Sequence, residues 1–383
     1  MQRKIKLVLL SLVCVWGLSA CGNLEKADFG STGGTSTSDK SNKYQISGST
    51  DGTEYSALLS GGKYKVSQSR GLTVTQNENS LNLVSFENGL TNLSKQYFSP
   101  KNYAFQEGQH ISKSTATKWL KRRSKSNSTG LNPVDNDKTD PDERNPIYLQ
   151  QILEQDYLKK ENDTYKISGM TIGLGLNDID YYQKEQYGAT FQTKISQAER
   201  EKQGKAMATK ILARLRAKKG LENVKIIFAL YTQAENDSLV GGTFFAQATS
   251  DSGTTLSDWK AINQENGVLP VVNEQKAVND GDAESFSNFK SKVQSFFPNI
   301  SGVTAQVHYQ DKQLQGMKIK ITTQFFGENE IRSFSQYVGT TATRYLPADI
   351  PIEITISSVD GMQAFLNRDQ GEKSFYRHVF SSY

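Results

Sequence analysis

The chain has 383 residues, and its 45 Lys and Arg against 40 Asp and Glu give a net charge of +5 at pH 7. Three of the basic residues, Arg3, Lys4 and Lys6, lie at the N-terminus, and without them 42 basic residues oppose 40 acidic ones, a net charge of +2. This balance gives no electrostatic support to nucleic-acid binding, and the 10% aromatic content is typical of a folded protein rather than a disordered one.

The N-terminus has the pattern of a lipoprotein export signal. Its basic start is followed by an apolar run from Leu7 to Leu18, which is too short to span about 30 Å of hydrocarbon. The run ends in the lipobox Leu18, Ser19, Ala20 and Cys21. The small residues fit the subsites of a signal peptidase that cleaves between Ala20 and Cys21, and the Cys21 thiol is the site of lipid attachment.

The cysteine count restricts the chemistry of the mature chain. Cys14 leaves with the signal peptide, so Cys21 is the remaining cysteine and its sulfur is alkylated. A disulfide and a cysteine-based metal site are therefore excluded. The predicted location is the outer face of the cytoplasmic membrane, where the protein is extracellular, palmitate-labelled and held by its lipid anchor.

Composition along the chain predicts an order of segments. Removal of the signal leaves 363 residues, more than a single core usually contains, which favours two domains. Gly, Ser, Thr and charged residues dominate the segment after Cys21, and three of the eight prolines lie close together later in the chain. The predicted organisation is a signal peptide at 1–20, a flexible tether at 21–43, an N-terminal α+β domain at 44–123, an exposed linker at 124–146 and a C-terminal α+β domain at 147–383.

Hydrophobic periodicity predicts the elements in chain order. A capping box formed by Ser196 and Glu199 begins the clearest helix, which Gly220 terminates. Helices are predicted at Phe86–Tyr97, Thr115–Arg123, Ile147–Leu158, from Asp282 and around Ile331–Tyr345, and strands at Gly169–Leu176, Val224–Tyr231, Thr243–Ala248, Val303–Tyr309, Met317–Phe325 and Ile350–Ile356. Helix–strand–strand units recur, and the alternating strands predict an α+β fold of antiparallel or mixed sheets with helices on one face.

No catalytic or metal-binding motif is found. The three histidines, His110, His308 and His378, are far apart in sequence, and no H-E-x-x-H or G-x-S-x-G is present. His308 shares the polar face of its strand with Thr304 and Gln306, so we expect it to be exposed. No catalytic residue, metal ligand or cofactor is predicted, although a Ser-His-Asp triad built from distant residues stays open.

Gly169, Gly173 and Gly175 lie inside a strand pattern, with no helix opening directly after them. A dinucleotide site requires its glycines at a strand-to-helix turn. These glycines are therefore predicted to let another element approach the sheet closely.

A basic cluster surrounds Trp119, namely Lys118, Lys121, Arg122, Arg123 and Lys125. It predicts contact with anionic lipid headgroups or wall polymers near Lys121, Arg122 and Arg123. The alternative is a helix end at which the dipole favours cations.

Several segments resemble the CamS-type sex-pheromone precursor lipoproteins of Gram-positive bacteria. They are the lipobox LSAC, NPIYLQQILEQDYL at Asn145–Leu158, GMTIGLGLN at Gly169–Asn177, and the C-terminal order of helices and strands. The resemblance implies a lipoprotein that stays on the cell and a signal peptide trimmed to a short apolar pheromone, here from Leu12–Ala20, that acts on other cells.

The sequence therefore predicts a membrane-anchored surface lipoprotein without catalysis. The alternatives are a substrate-binding lipoprotein of a transport system and a cell-wall-directed enzyme, whose structural mark would be a pocket with a carboxylate pair. The linker at 124–146 is expected to be the first internal site of proteolysis, at Lys125, Lys138 or Arg144.

Overall fold

The computed structural model describes residues 44–48, 50–74, 79–272, 276–296 and 300–381. The predicted signal peptide, lipobox, lipid-attachment site Cys21 and tether lie outside the described residues. Residues Lys43–Tyr383 form one compact unit. Among the residues that the structure describes, no helix combines the length and apolar composition needed to cross a membrane.

Two six-stranded sheets and five helices make up most of the described chain. The helices are α1 (Leu81–Ser94), α2 (Lys113–Leu120), α3 (Gln197–Arg216), α4 (Asp280–Gln294) and α5 (Glu328–Tyr345). The strands are β1 (Tyr44–Ile46), β2 (Leu58–Ser60), β3 (Lys63–Tyr64), β4 (Ala104–Glu107), β5 (Leu149–Glu161), β6 (Thr164–Leu176), β7 (Ile179–Gln183), β8 (Thr190–Lys194), β9 (Lys225–Thr232), β10 (Thr243–Ser250), β11 (Lys260–Ala261), β12 (Gln264–Leu269), β13 (Ile300–Gln310), β14 (Gln313–Thr323), β15 (Ile352–Ser358), β16 (Gly361–Arg368) and β17 (Tyr376–Val379). Sheet 1 has the order β11-β10-β9-β6-β5-β4 and sheet 2 the order β12-β13-β14-β15-β16-β17, and smaller sheets join β1-β2-β3 and β7-β8.

The two six-stranded sheets have the same topology. In each, a strand and a helix precede an antiparallel hairpin, a second helix crosses over, and three more strands follow. The central pairs, β6–β9 and β14–β15, are parallel, whereas every other neighbouring pair is antiparallel. The α+β class, the mixed sheets and the recurring helix–strand–strand unit are confirmed.

Sheet 1 is covered by helices on both faces. Ile226 and Phe228 of β9 pack in a core with α3, whereas Ile227 and Tyr231 pack in a second core with Phe86 of α1. Burial on both sides explains the nearly continuous apolar run of β9. The prediction of helices on one face therefore holds for sheet 2 but not for sheet 1.

Sheet 2 has one covered face and one polar face. Val303, Ala305 and Val307 of β13 are buried in the core that includes α4 and α5. Gln306 and His308 alternate with them on the opposite face. This polar face forms one wall of a cleft beside α1.

The predicted helix at Ile147–Leu158 is wrong, because this segment begins strand β5. Strand β5 pairs with β4 on one side and β6 on the other. Its apolar residues fit a helical spacing, but neighbours such as Ile152 and Leu153 belong to two different cores. Periodicity alone does not separate a strand buried on both faces from a buried helix.

The segment 124–146 does not divide two domains. The pairing of β4 with β5 joins residues from both sides of it in sheet 1, and the chain passes to sheet 2 only between β11 and β12. The segment is also held in place by Asn132, which is fully buried. Its Nδ2 donates to Leu120 O at 2.7 Å and Leu149 O at 2.8 Å, and its Oδ1 accepts from the Tyr148 and Leu149 amides.

Trypsin is expected to cut this loop after Lys125 and Lys138, which are exposed, before it cuts Arg144. The Arg144 side chain is 8% exposed and its guanidinium lies 2.7 Å from Asp180 Oδ2, so it is withheld from the protease. Mass spectrometry of a limited digest identifies the cuts. Native size-exclusion chromatography should show the fragments still associated through sheet 1. A first cut within α3, at 207–215, would contradict the prediction.

Candidate functional site

The histidines occupy three different environments. His378 of β17 is exposed, His110 lies in the loop after β4, and His308 of β13 is half-buried. The expectation that His308 is exposed is corrected, since its side chain is half-buried in the lining of a cleft, beside Asn266.

The glycines of β6 have the predicted role of permitting close approach. A Cβ atom at Gly169 would lie 2.2 Å from Cε1 of Phe98, and one at Gly173 would lie 2.8 Å from Cε2 of Phe86. Both rings are fully buried. The glycines therefore bring the aromatic layer beside α1 directly onto the sheet.

The basic cluster borders an open surface hollow of about 660 Å³, which Lys118, Lys121 and Arg122 line together with Ser124 and residues 126–129. Arg122 has a structural role, because its guanidinium donates to Pro133 O and, at 2.7 Å, to Asn145 O. Lys121 and Arg123 are exposed. Contact with anionic headgroups or wall polymers stays a prediction for these exposed cations.

A pair of buried carboxyl groups lies on one face of β5. Glu154 and Asp156 are 0% and 1% exposed. The loop after β4 covers them with backbone donors: the His110 and Ile111 amides donate to the two oxygens of Glu154 at 2.8 and 2.7 Å, and the Gln109 amide donates to Asp156 Oδ2 at 3.0 Å. We call Glu154 and Asp156 the carboxyl pair.

Burial of the carboxyl pair favours the protonated, neutral form of its members. Burial raises the pKa of Asp156 well above its ordinary value, and the charge of Glu154 raises it further. Burial also raises the pKa of Glu154, although hydrogen bonds from the His110 and Ile111 amides oppose this effect. Asp156 is therefore the protonated member. Its Oδ2 accepts the Gln109 amide, and its buried Oδ1 makes no hydrogen bond within the described part of the chain.

His110 completes a three-residue group whose potential ligand atoms all lie within 4.8 Å of one another. Its Nε2 is 3.8 Å from Asp156 Oδ2. Burial, followed by the charge of Lys218, lowers the pKa of His110, which keeps the ring neutral. Histidine and carboxylate together are suitable ligands for a divalent cation. However, both Glu154 oxygens already accept backbone N–H groups, so the arrangement acts as a clamp between the loop and β5.

Sequence reasoning missed this group because it placed residues 147–158 in a helix. Positions i and i+2 point to different sides of a helix but to the same side of a strand. The signal that could have revealed the pair was two acidic residues spaced by two within a run rich in residues that suit a buried strand.

A cleft of about 720 Å³ lies between α1 and the polar face of sheet 2. This volume is within the usual range for a ligand site. Asn88, Asn92 and Gln96 line it from α1 and the turn that follows, and Gln306 and His308 line it from β13. Neither member of the carboxyl pair borders this cleft or the hollow at the basic cluster.

His308 is held in one tautomer in the cleft. Its Nδ1 lies 2.6 Å from Asn266 Oδ1, and the Asn266 amide nitrogen donates to Gly241 O and Gly242 O. Since the Asn266 oxygen can only accept, His308 Nδ1 carries the hydrogen and Nε2 is an acceptor. Burial lowers the pKa of His308, so the neutral ring persists at pH 7.

These features define an α+β protein of two topologically equivalent sheets with a cleft beside α1. A family model described as CamS sex pheromone cAM373 precursor matches residues 64–374. The chain therefore belongs to the CamS sex pheromone cAM373 precursor family.

Two solved structures are similar over most of the chain. The sex pheromone precursor from Lactobacillus salivarius subsp. salivarius UCC118 is 51% identical with a TM-score of 0.85, and the alignment covers 89% of this chain and 100% of that one. The C-terminal domain of the sex pheromone staph-cAM373 precursor from Staphylococcus aureus is 31% identical with a TM-score of 0.68, covering 80% and 98% of the two chains. A comparison with curated proteins returned no match.

Proposed function

We propose that this chain is a surface lipoprotein held at the outer face of the cytoplasmic membrane by lipid on Cys21. The observation that carries the proposal is the lipobox at Leu18–Cys21, directly after a short apolar run with a basic start. A polar segment separates Cys21 from the compact unit that begins at Lys43. This spacing suits a folded domain tethered above a membrane.

Cys21→Ala is expected to abolish incorporation of labelled palmitate, because the substitution removes the sulfur that takes the lipid. Cys14→Ala is the matched control, since this cysteine lies in the apolar run and leaves with the signal peptide. Autoradiography of the immunoprecipitated protein after growth with labelled palmitate measures both variants. Label that survives in Cys21→Ala, or that disappears in Cys14→Ala, would refute attachment at Cys21.

We also propose that the released signal peptide is trimmed to a short apolar peptide from Leu12–Ala20 that acts on other cells. Support comes from membership in a family described as sex pheromone precursors. The apolar content of this stretch is suited to such a peptide. Because cleavage requires lipidated Cys21, the Cys21→Ala variant would also withhold this peptide.

The mature domain is proposed to be non-catalytic. The carboxyl pair is the expected mark of a wall-directed enzyme, yet it is buried and clamps a loop. A second candidate function is ligand binding, as in a substrate-binding lipoprotein. The cleft between α1 and sheet 2 favours this candidate, because its lining combines apolar groups with exposed side-chain amides.

A further inference from the structure

A row of amide side chains runs along the cleft wall formed by α1 and the turn that follows it. Asn88, Asn92 and Gln96 are four residues apart, all are exposed, and none makes a side-chain hydrogen bond within the described part of the chain. Asn is a weaker helix former than Ala, Glu or Lys. An uncharged row on an exposed helical face is therefore not explained by helix stability.

The spacing of the row suits an extended peptide. Residues four apart on a helix are separated by about 6 Å along its axis. An extended chain presents its backbone groups on one side every two residues, or about 6.7 Å. A primary amide both donates and accepts, so each can pair with a backbone C=O and N–H of alternate ligand residues.

The charges in the cleft are largely paired with groups of the protein itself. Lys318 Nζ lies 3.3 Å from Glu353 Oε2, and the Asp311 carboxylate accepts from the side-chain amides of Asn263 and Gln310. Among the described residues that line the cleft, Lys318 is the one lysine or arginine, so an anionic ligand would compete with Glu353 for it. His308 adds a neutral acceptor, Nε2, on the opposite wall.

The apolar part of the lining suits the side chains of a peptide ligand rather than the rings of a saccharide. Val84 is 56% exposed on the same helix, and Ile262 lies on the cleft wall. Phe244 is the single phenylalanine, tyrosine or tryptophan among the described residues lining the cleft, and it is 1% exposed. A sugar ring would thus find no exposed aromatic face on which to stack.

We infer that the cleft binds a peptide of low net charge in an extended conformation, with Asn88, Asn92 and Gln96 pairing to its backbone. This inference rests on ligand binding as the second candidate function and is independent of lipid attachment. Failure of the peptide to bind would therefore not contradict lipid attachment at Cys21, and failure of lipid attachment would not contradict peptide binding. The apolar walls hold the side chains of the ligand, and the amides hold its main chain, which makes recognition tolerant of sequence.

The test uses the full-length chain in detergent and an array of acetylated, amidated heptapeptides of randomised sequence. Fluorescence anisotropy then gives the Kd of the best peptides, with chitohexaose as the saccharide probe. We expect uncharged peptides to bind and the Asn88→Ala/Asn92→Ala variant to weaken binding at least tenfold. Asn288→Ala is the matched control, because Asn288 is exposed on α4, outside the cleft.

A second measurement tests whether the protein pairs with the backbone of the ligand. N-methylation of single ligand amides should weaken binding at alternate positions, which is the period of an extended chain. Since Asn→Ala raises helix propensity, both variants should keep the melting temperature of the parent. The inference is overturned if no heptapeptide binds, if chitohexaose binds more tightly, or if Asn88→Ala/Asn92→Ala binds like Asn288→Ala.

Discussion

Glu154→Gln is expected to lower the free energy of unfolding by about 3 kcal/mol at pH 6, because it leaves a buried N–H facing another donor. In the parent chain the two Glu154 oxygens accept the His110 and Ile111 amides. A glutamine has one oxygen, so its NH2 group opposes one of these donors. The loop after β4 would lose its charged clamp to β5.

Asp156→Asn is the matched control. Above pH 5 it is expected to raise the free energy of unfolding, whereas Glu154→Gln lowers it. An asparagine keeps an acceptor for the Gln109 amide and, like the protonated carboxyl group, carries no charge. The raised pKa of Asp156 means that the folded state binds more protons than the unfolded state at pH values above about 4. The parent therefore loses up to about 1.4 kcal/mol of stability per pH unit as pH rises toward the folded pKa, and Asp156→Asn removes this loss.

Urea unfolding at pH 5, 6, 7 and 8 measures both variants against the parent. The free energy of unfolding of Asp156→Asn minus that of the parent should grow with pH. Glu154→Gln should be less stable than the parent at pH 5 and 6. Protonation of Asp156 in the folded state would be refuted if Asp156→Asn were equally destabilising at every pH, since that result indicates an ionised Asp156.

Gly169→Ala is expected to destabilise the fold by about 3 kcal/mol, at the upper end of typical costs for overpacking a core. The new methyl group would lie 2.2 Å from Cε1 of Phe98. That ring cannot easily retreat, because it stacks on Tyr157 at 4.7 Å and contacts the edge of Tyr103 at 5.3 Å between ring centroids.

Gly302→Ala provides the control for the same chemical change within a strand. Apart from its two chain neighbours, no described residue has an atom within 4 Å of a Cβ placed at Gly302 of β13. We expect its stability to stay within about 0.5 kcal/mol of the parent, as for surface substitutions without special contacts. Thermal and urea unfolding compare the two variants. Equal stability of Gly169→Ala and Gly302→Ala would show that the aromatic layer adapts and that the glycine is not required for close approach.

Several features follow from the sequence alone because the interactions that produce them are local. The capping box at Ser196 predicts the start of α3, and the Ser196 hydroxyl accepts the Glu199 amide at 3.3 Å. The stripe of Ile211, Leu212 and Leu215 predicts the buried face of that helix, which the core confirms. The lipobox and the family resemblance are equally properties of short segments, and family membership is confirmed.

Other features depend on neighbours that are distant in sequence, and only the tertiary structure decided them. Segment 149–161 becomes a strand because β4 and β6 supply its hydrogen-bonding partners and two cores bury its opposite faces. That conformation brings Glu154 and Asp156 to one side, under a loop formed about 45 residues earlier. The cleft likewise requires α1 and β13 to meet, and no local pattern encodes a contact between residues more than 200 positions apart. Burial on both faces removes the polar alternation by which a strand is recognised, which is why periodicity failed at this segment.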